Sequence, residues 1–489
     1  MTLPTQPLEP AQIEAALTAF AARDLPWRDG RTYAYVYDAG REVERIGTEA
    51  FAQHLFTNAL DPTAFPSALA LENEVVGFAC AHLGGGPEAV GTFTSGGTES
   101  IICAVKAARD HARATRPEVA RPEVILPTTA HPAFHKAAHY LGLEVVAVDV
   151  DPVTFRADPA ALARAIGPNT ILLVGSAPSY PHGVIDPIED LAALAEARGL
   201  WLHVDACVGG FLLPYWRRLG ADVPAFDLSV PGVTSISMDF HKYGFAPKGA
   251  SVVVYRDAAA RRFQYFGCAA WPGYTVVNPG VMSSKSAGPL AATWAVLQRL
   301  GDEGYLDLAQ RSREGTRRLV EGIAAIPGIR VLGQPDFCMV AFASDPAAAE
   351  APGVFHVADE LNARGWFVQP QLSFRNCQDS VHLSLGPENA ARVDELLTDL
   401  RAAVEAARQQ PTGELAALVS AQLAGRATPP GPEELAQLLA LAGLTGDGLP
   451  ARMAPVLEVL SALPRPFVSE LLVDYLAGLF APAPAAVCP

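Results

Sequence analysis

The chain has little that would tie it to a membrane, a nucleic acid or an oxidising compartment. Its seven cysteines, Cys80, Cys103, Cys207, Cys268, Cys338, Cys377 and Cys488, stand singly, with no C-x-x-C pair and no metal-ligand spacing. That usage suits reduced thiols in a cytosol and offers neither a disulfide framework nor a metal centre. No Lys/Arg cluster is dense enough to follow a phosphate backbone, and 52 acidic against 36 basic side chains leave a formal charge of -16, so nucleic acids and anionic membranes are poor partners. The longest apolar stretch, near 200–215, contains His203, Asp205 and the adjacent glycines Gly209 and Gly210, which suits a buried strand and loop and not a bilayer span. Residues 1–11 hold three prolines and no basic-then-apolar run. That is unlike a signal peptide, and the expected location is the cytoplasm. Low-complexity blocks and internal repeats are missing too.

What is present is an ordinary globular composition. With 489 residues, 50% of them hydrophobic and 18% charged, the chain is too long for one core and predicts two or three packed units. Short β-rich runs at 123–126, 145–150, 170–174, 200–204, 234–237 and 251–255 alternate with amphipathic stretches such as 159–166 and 188–198. This is the pattern of an α/β fold, a mainly parallel sheet covered by crossover helices. Past a helix at 287–299 the pattern changes. A long helix at 304–326, strands at 329–332 and 337–342, a helix at 357–364, strands at 366–368 and 381–385, and a closing helix at 390–407 predict a smaller α+β domain. Beyond about residue 409 the chain turns helical and Pro/Ala-rich, broken by TPPGP at 428–432. Its Leu-rich faces are expected to cover the body of the protein or a partner subunit. The expected division is an N-terminal arm (1–60), a large sheet domain (61–295), a small α+β domain (296–408) and a helical C-terminal extension (409–489).

Four segments carry chemistry. In Ser237-Met238-Asp239-Phe240-His241-Lys242-Tyr243-Gly244 a lysine follows a predicted strand inside the sheet domain. Burial there disfavours the ammonium and would supply the neutral amine that attacks an aldehyde cofactor. A His-Lys pair alone is ordinary, and a salt-bridged or exposed lysine is its commoner meaning. The second segment, Leu202-His203-Val204-Asp205-Ala206-Cys207, ends another apolar strand with an acid. Burying that acid costs several kcal/mol unless a cation such as a protonated pyridine nitrogen meets it. The bland alternative is a carboxylate capping a loop. Third, Thr94-Ser95-Gly96-Gly97-Thr98-Glu99-Ser100 leads into a helical run. Its glycines let successive N–H groups face one anion at a helix N-terminus, which makes a phosphate cradle unless it is simply a helix cap. It has neither the G-x-x-x-x-G-K-S/T lysine nor G-x-G-x-x-G spacing, which argues against both nucleotide-binding motifs. Fourth is His131 in HPAFHKAA, just after a predicted strand, where an imidazole can lie flat on a cofactor ring. On its own such a histidine is usually structural.

Together these segments resemble the group II pyridoxal-phosphate decarboxylase family, and within it the sphingosine-1-phosphate lyases. The similarity runs over about 37–407 through TSGGTES, HPAFHKAA, Tyr180-Pro181-His182-Gly183-Val184-Ile185-Asp186-Pro187, VDACVGGF, Gly232-Val233-Thr234-Ser235-Ile236-Ser237 and HKYGFAPKG. The resemblance implies a fold-type I, aspartate aminotransferase-like large domain and a homodimer with shared active sites. It implies pyridoxal 5′-phosphate on Lys242, its phosphate held by Gly97 and Thr98 with His241 close by, His131 stacked on its ring and Asp205 paired with its nitrogen. Tyr180 and Cys207 match lyase positions beside the reacting carbon, and Lys248 and Tyr37 match residues that meet the substrate's phosphate. The chain also departs from the lyase pattern. Asn58-Ala59-Leu60-Asp61 stands where the lyases have a histidine in place of Asp61, Ser283-Ser284-Lys285 replaces Gly-Ser-Arg, and Asp38 replaces another histidine. An aspartate repels a phosphate at close range, and a lysine lacks the bidentate fork of arginine. The implied substrate is therefore a small, water-soluble amine handled in an altered pocket.

Two reactions fit. If the bond set perpendicular to the cofactor ring leads to a hydroxyl-bearing carbon, the reaction is a retro-aldol cleavage to an aldehyde and an amine, and Tyr180, His131 or Lys242 must serve as base. If it leads to a carboxylate, the enzyme is an amino-acid decarboxylase. The lyase matches at Tyr180, Cys207 and Lys248 put retro-aldol cleavage first. A catalytically silent relative that only binds partners is a third reading, opposed by the retention of both Lys242 and Asp205.

Overall fold

The structure, a computed structural model, describes residues 3–423 and 450–481. Seven strands form the main sheet: β1 (Val90–Thr94), β2 (Glu123–Pro127), β3 (Glu144–Val148), β4 (Thr170–Ser176), β5 (Trp201–Asp205), β6 (Ser235–Asp239) and β7 (Ser251–Tyr255), in the order β1-β7-β6-β5-β4-β2-β3. β7 runs antiparallel to both neighbours, and the remaining pairs are parallel. Every residue of β4, β5, β6 and β7 is buried, as expected of strands covered on both faces by helices. The edge strand β3 is only half-buried and starts on the exposed Glu144, whose charge discourages pairing with another chain.

The six strands and two crossover helices read from the sequence are found within a residue or two, the helices at Pro159–Ala165 and Ile188–Arg198. The first is capped by Asp158, whose side chain accepts the Ala160 and Ala161 N–H groups. β1 was not anticipated. It is short and has Gly91 at its second position, where a Cβ would come within 2.8 Å of the Val253 carbonyl on β7. The glycine thus marks close backbone approach and not a turn. Helices expected at 287–299 and 304–326 form one element, Gly288–Ala324, kinked at Gly301 with φ 57° and ψ −173°, a conformation that glycine adopts without a Cβ penalty.

An unanticipated hairpin follows the sheet, β8 (Phe266–Cys268) with β9 (Val276–Asn278). The second sheet holds β10 (Ile329–Val331), β11 (Met339–Ser344), β12 (Gln369–Gln371) and β13 (Ser380–Ser384), all antiparallel, in the order β10-β11-β13-β12. The strand expected at 366–368 is displaced to β12. Phe367 instead bridges Thr32 in the N-terminal segment, and Trp366 is buried with its indole N–H on Asp399, so long-range pairing overrides local β propensity.

The C-terminal helices Glu414–Leu423, Ala454–Ala462 and Arg465–Leu479 share their own small core of Val419, Leu423, Leu463, Phe467 and Val468. They rest on the small domain: Asp359 accepts the Met453 and Ala454 N–H groups, both at 2.9 Å, and Glu458 meets His356 at 3.2 Å. The TPPGP break lies outside the described residues. No helix among the described residues is long and apolar enough to cross a membrane.

Candidate active site

In a mostly parallel sheet, ligands collect at the carboxyl ends of the strands. The register places Ser176 of β4 opposite Asp205 of β5, and Asp205 opposite Ser237 of β6, so the ends of three strands open on one space. One cavity there is lined by Gly97, His131, Tyr180, Asp205, Cys207 and Lys242, six of the residues singled out in the sequence. Thr98 lies beside Gly97 in the first turn of the helix Gly97–Thr115.

The loop after β6 carries Lys242, and its Nζ lies 3.0 Å from Oδ2 of Asp239. The expectation that burial leaves Lys242 as a neutral amine does not hold. Burial pulls the ammonium down, but Asp239, helped by Cys207, Tyr37 and Asp205, outweighs it and holds the lysine above its ordinary range. Asp239 responds in kind: burial raises its carboxyl, Lys242 and His241 lower it more, and the net shift is downward. Asp239 is 1% exposed and its Oδ1 has no hydrogen-bond partner. Sequence reasoning missed this residue, although the signal was the one used for Asp205: an acid at the end of an apolar strand, here three positions before a lysine.

His241 accepts the Ala250 N–H on Nδ1 at 3.1 Å and keeps Nε2 3.5 Å from Asp239. Burial lowers its affinity for a proton and Asp239 restores part of it. His131 likewise accepts the Ala133 N–H on Nδ1 at 3.2 Å. Burial keeps its imidazole neutral against the pull of Asp205, so the remaining proton sits on Nε2, which is a donor and not a base. Asp205 is buried, and its carboxylate receives one N–H, from Cys207 at 3.0 Å. Cys207 donates to Ser237 Oγ at 3.2 Å, and burial beside Asp205 and Asp239 lifts its thiol far above the usual range. It is therefore an inert wall and not a nucleophile. Behind Asp205, His203 is held by Ser235 and Ser237 at 2.8 and 3.2 Å and pushed down to about 4 by burial.

Tyr180 lines the same cavity as Lys242. Its ring stacks on His382 with centroids 4.3 Å apart, its hydroxyl donates to Gln369 Oε1 at 2.5 Å, and burial keeps the phenol protonated.

A second, wider cavity of about 780 Å³ adjoins His241 and is lined by Tyr35, Tyr37, Asp38 and Lys248 among others. Lys248 Nζ lies 4.7 Å from the Tyr37 ring centre and donates to the backbone oxygens of His241 and Tyr35 at 3.1 and 3.3 Å. Burial, reinforced by Lys242, pushes Lys248 down to about 8. The remaining predicted residues lie elsewhere. Asn58 bridges Ser286, and Asp61 is exposed and accepts the Thr63 N–H at 2.8 Å within its own turn. Ser284 is exposed, and Lys285 faces Glu72 at 3.8 Å in a third cavity that also includes Leu60 and Ser283. Among the described residues no group of three or more His, Cys, Asp or Glu side chains is arranged to hold a metal ion.

Residues 25–344 match the pyridoxal-dependent decarboxylase conserved domain, and 413–478 match the C-terminal putative HTH domain of pyridoxal-dependent enzymes. The chain belongs to the pyridoxal-dependent decarboxylase family, and its cofactor is pyridoxal phosphate. Within that family it is a lyase of the sphingosine-1-phosphate lyase kind. It is 41% identical over 409 residues to the sphingosine-1-phosphate lyase of Arabidopsis thaliana, covering 81% of this chain and 73% of that one. The solved structure of the Burkholderia pseudomallei sphingosine-1-phosphate lyase superposes with a TM-score of 0.79 at 38% identity, over 88% of this chain and 98% of that one. A probable L-tyrosine/L-aspartate decarboxylase of Methanothermobacter thermautotrophicus is 33% identical over 357 residues, 73% of this chain and 93% of that one.

The residues present fit the cofactor. A Cβ on Gly97 would lie 2.8 Å from Cys207 Sγ and 3.0 Å from both Asp239 oxygens, so the cradle exists only with glycine there. Asp205 offers a buried carboxylate to the cavity, and Ser176 Oγ at its wall has no partner.

Proposed function

We propose that this lyase cleaves the bond between the amine-bearing and hydroxyl-bearing carbons of a small β-hydroxy amine, releasing an aldehyde and an amine. The observation that carries the reading is the convergence of Lys242, Asp205, His131, Tyr180 and Gly97 on one cavity; Tyr37 and Lys248 line a second cavity, where they would meet an anionic group. Lys242 would carry the cofactor, Gly97 and Thr98 would receive its phosphate near His241, His131 would cover its ring and Asp205 would meet its nitrogen. When bound, the cofactor supplies the electron sink into which the broken bond's electrons pass.

The proton steps fall to the chain's own groups. His131 is a donor at Nε2 and Tyr180 is a protonated phenol, which leaves Lys242 Nζ as the group whose protonated form the site stabilises, through Asp239. Lys242 Nζ takes the proton of the substrate hydroxyl and later returns it to the amine-bearing carbon. Tyr180 orients that hydroxyl. Decarboxylation of an amino acid is the second reading, supported by the likeness to the Methanothermobacter protein.

Asn58, Asp61, Ser284 and Lys285 are absent from the cavity of their own chain, and exposed apolar side chains lie close in sequence to them: Phe56 at 94%, Val281 at 64% and Met282 at 42%. This supports a homodimer in which these residues reach the partner's site. The excess of 52 acidic over 36 basic side chains speaks against nucleic acid and anionic membranes as partners, and the singly placed cysteines suit work in the cytoplasm. Light scattering of the purified protein tests the dimer, and cell fractionation tests the compartment. The function is tested by incubating holoenzyme with amino acids, β-hydroxy amino acids and amino-alcohol phosphates and weighing the products. An aldehyde with its amine supports the proposal, and carbon dioxide alone would replace it with decarboxylation.

A further inference from the structure

Ser176 ends β4 with its hydroxyl unused. One residue, the fully buried Asp186, holds its backbone on both sides: Oδ2 of Asp186 receives the Ser176 N–H at 2.8 Å, and the Ser176 carbonyl receives the Asp186 N–H at 3.0 Å. Ser176 is 2% exposed, and its Oγ has no hydrogen-bond partner among the described residues. The other polar side chains that line the cavity are engaged: His131 by the Ala133 N–H, Tyr180 by Gln369, Asp205 by the Cys207 N–H, Cys207 by Ser237 and Lys242 by Asp239. A buried hydroxyl without a partner destabilises a fold, and this one belongs to the cavity wall.

The order of the strands says what can meet it. β5 lies between β6 and β4, and Ser176 is the ladder partner of Asp205. Neighbouring strands stand about 4.8 Å apart, so Ser176 flanks Asp205 on the side away from β6. Lys242 follows β6, and the cradle lies on that same side, since a Cβ on Gly97 would meet Cys207 Sγ and both oxygens of Asp239, the last residue of β6. The ring of pyridoxal phosphate carries a nitrogen and, opposite it, an aldehyde carbon flanked on one side by the phosphate arm and on the other by a hydroxyl. With the nitrogen at Asp205 and the arm toward Gly97, the hydroxyl takes the flank where β4 ends. The polar atom of the cofactor that has no assigned partner thus falls beside the polar side chain of the wall that has none.

We infer that Ser176 is a cofactor ligand whose hydroxyl hydrogen-bonds the ring oxygen of pyridoxal phosphate. This rests on the proposed placement of the cofactor on Lys242, Asp205 and Gly97 and goes beyond it. The nitrogen and phosphate contacts hold the ring along one line, about which it can still tilt. A third contact beside the aldehyde carbon fixes the ring plane, and that plane decides which substrate bond stands perpendicular to it. The same hydrogen bond draws negative charge off the ring oxygen, next to the Lys242 nitrogen.

The test begins with cofactor-free protein. Ser176→Ala removes one buried atom that has no partner, so the variant should melt no lower than the unmodified protein. Its affinity for pyridoxal phosphate, read by equilibrium dialysis, should fall about tenfold, the size of effect of one hydrogen bond to a charged group. Its affinity for the analogue that lacks the ring hydroxyl should equal that of the unmodified protein, because the bond is already missing there. In the loaded variant the visible absorbance band should persist to higher pH, since the ring oxygen keeps more negative charge and holds the proton of the Lys242 nitrogen longer. Equal losses of affinity for both forms of the cofactor would mark a packing role and overturn the inference. Unchanged affinity for pyridoxal phosphate would overturn it as well, leaving the hydroxyl to water. Borohydride reduction that fixes the pyridoxyl group to a lysine other than Lys242 would instead overturn the placement on which the inference rests.

Discussion

Replacing Asp239 with asparagine removes a charge while keeping the shape, and its effect can be sized. Two unit charges 3.0 Å apart attract by about 5 kcal/mol at an effective dielectric near 20, which corresponds to roughly three to four pKa units on Lys242. In the unmodified protein the lysine is raised above its unfolded value. Its ion pair therefore adds stability that is fully present below about pH 10 and fades as pH climbs through the folded value. In Asp239→Asn the sign reverses: burial is opposed only by the smaller contributions of Cys207, Tyr37 and Asp205, Lys242 falls below its unfolded value, and the variant is destabilised at neutral pH but recovers as pH rises. Competitive acetylation of cofactor-free protein, read by mass spectrometry of the Lys242 peptide between about pH 6 and 10, measures the change directly. Lys242 should be nearly unreactive in the unmodified protein and reactive near neutrality in the variant. Cofactor uptake, followed by visible absorbance, should rise steeply with pH only where Asp239 is present. Matching Lys242 reactivity in the two proteins would refute the claim that this carboxylate controls the amine.

Lys242→Ala should abolish turnover and the visible absorbance of bound cofactor, and should also cost about 3 kcal/mol in denaturant titration because Asp239 is left buried without its partner. Gly97→Ala should weaken cofactor binding at least tenfold in equilibrium dialysis, since the new methyl would meet Cys207 Sγ at 2.8 Å, a clash worth roughly 1–3 kcal/mol. Asp359→Ala strips the Met453 and Ala454 N–H groups of their acceptor. It should cost about 2–4 kcal/mol and open the C-terminal helices to limited proteolysis without changing the cofactor's absorbance.

The sequence reveals those parts of the site that local chemistry marks. Asp205 stands out as an acid closing an apolar strand, Gly96-Gly97 as a loop freed of Cβ atoms, and Lys242 as a lysine with no surface around it. What it hides are partnerships made across the fold. Gln369 meets Tyr180 over 189 positions and Tyr35 over 334, and nothing near residue 369 announces either. The same blindness misplaces the strand at 366–368, because Phe367 spends its backbone on Thr32. Asp239 is legible by the same sign as Asp205, an acid ending an apolar strand, and it stands three positions before the lysine it pairs with. The separation of Asn58 and Lys285 from Lys242 is a property of the fold that no spacing along the chain reports.

Glu99 has a double attachment. One oxygen receives the Ser95 N–H at 2.8 Å and hydroxyl at 2.6 Å, and the other receives the Val281 N–H at 2.7 Å. Its carboxyl is held below its usual range by these donors although burial acts the other way. The glycine cradle and the segment after the β8–β9 hairpin are thus stitched together by one side chain. If that hairpin is where two copies meet, assembly and coenzyme retention are one event seen from two ends: diluting the holoenzyme until it splits should loosen the cradle and let the coenzyme escape, while excess coenzyme should hold the pair together.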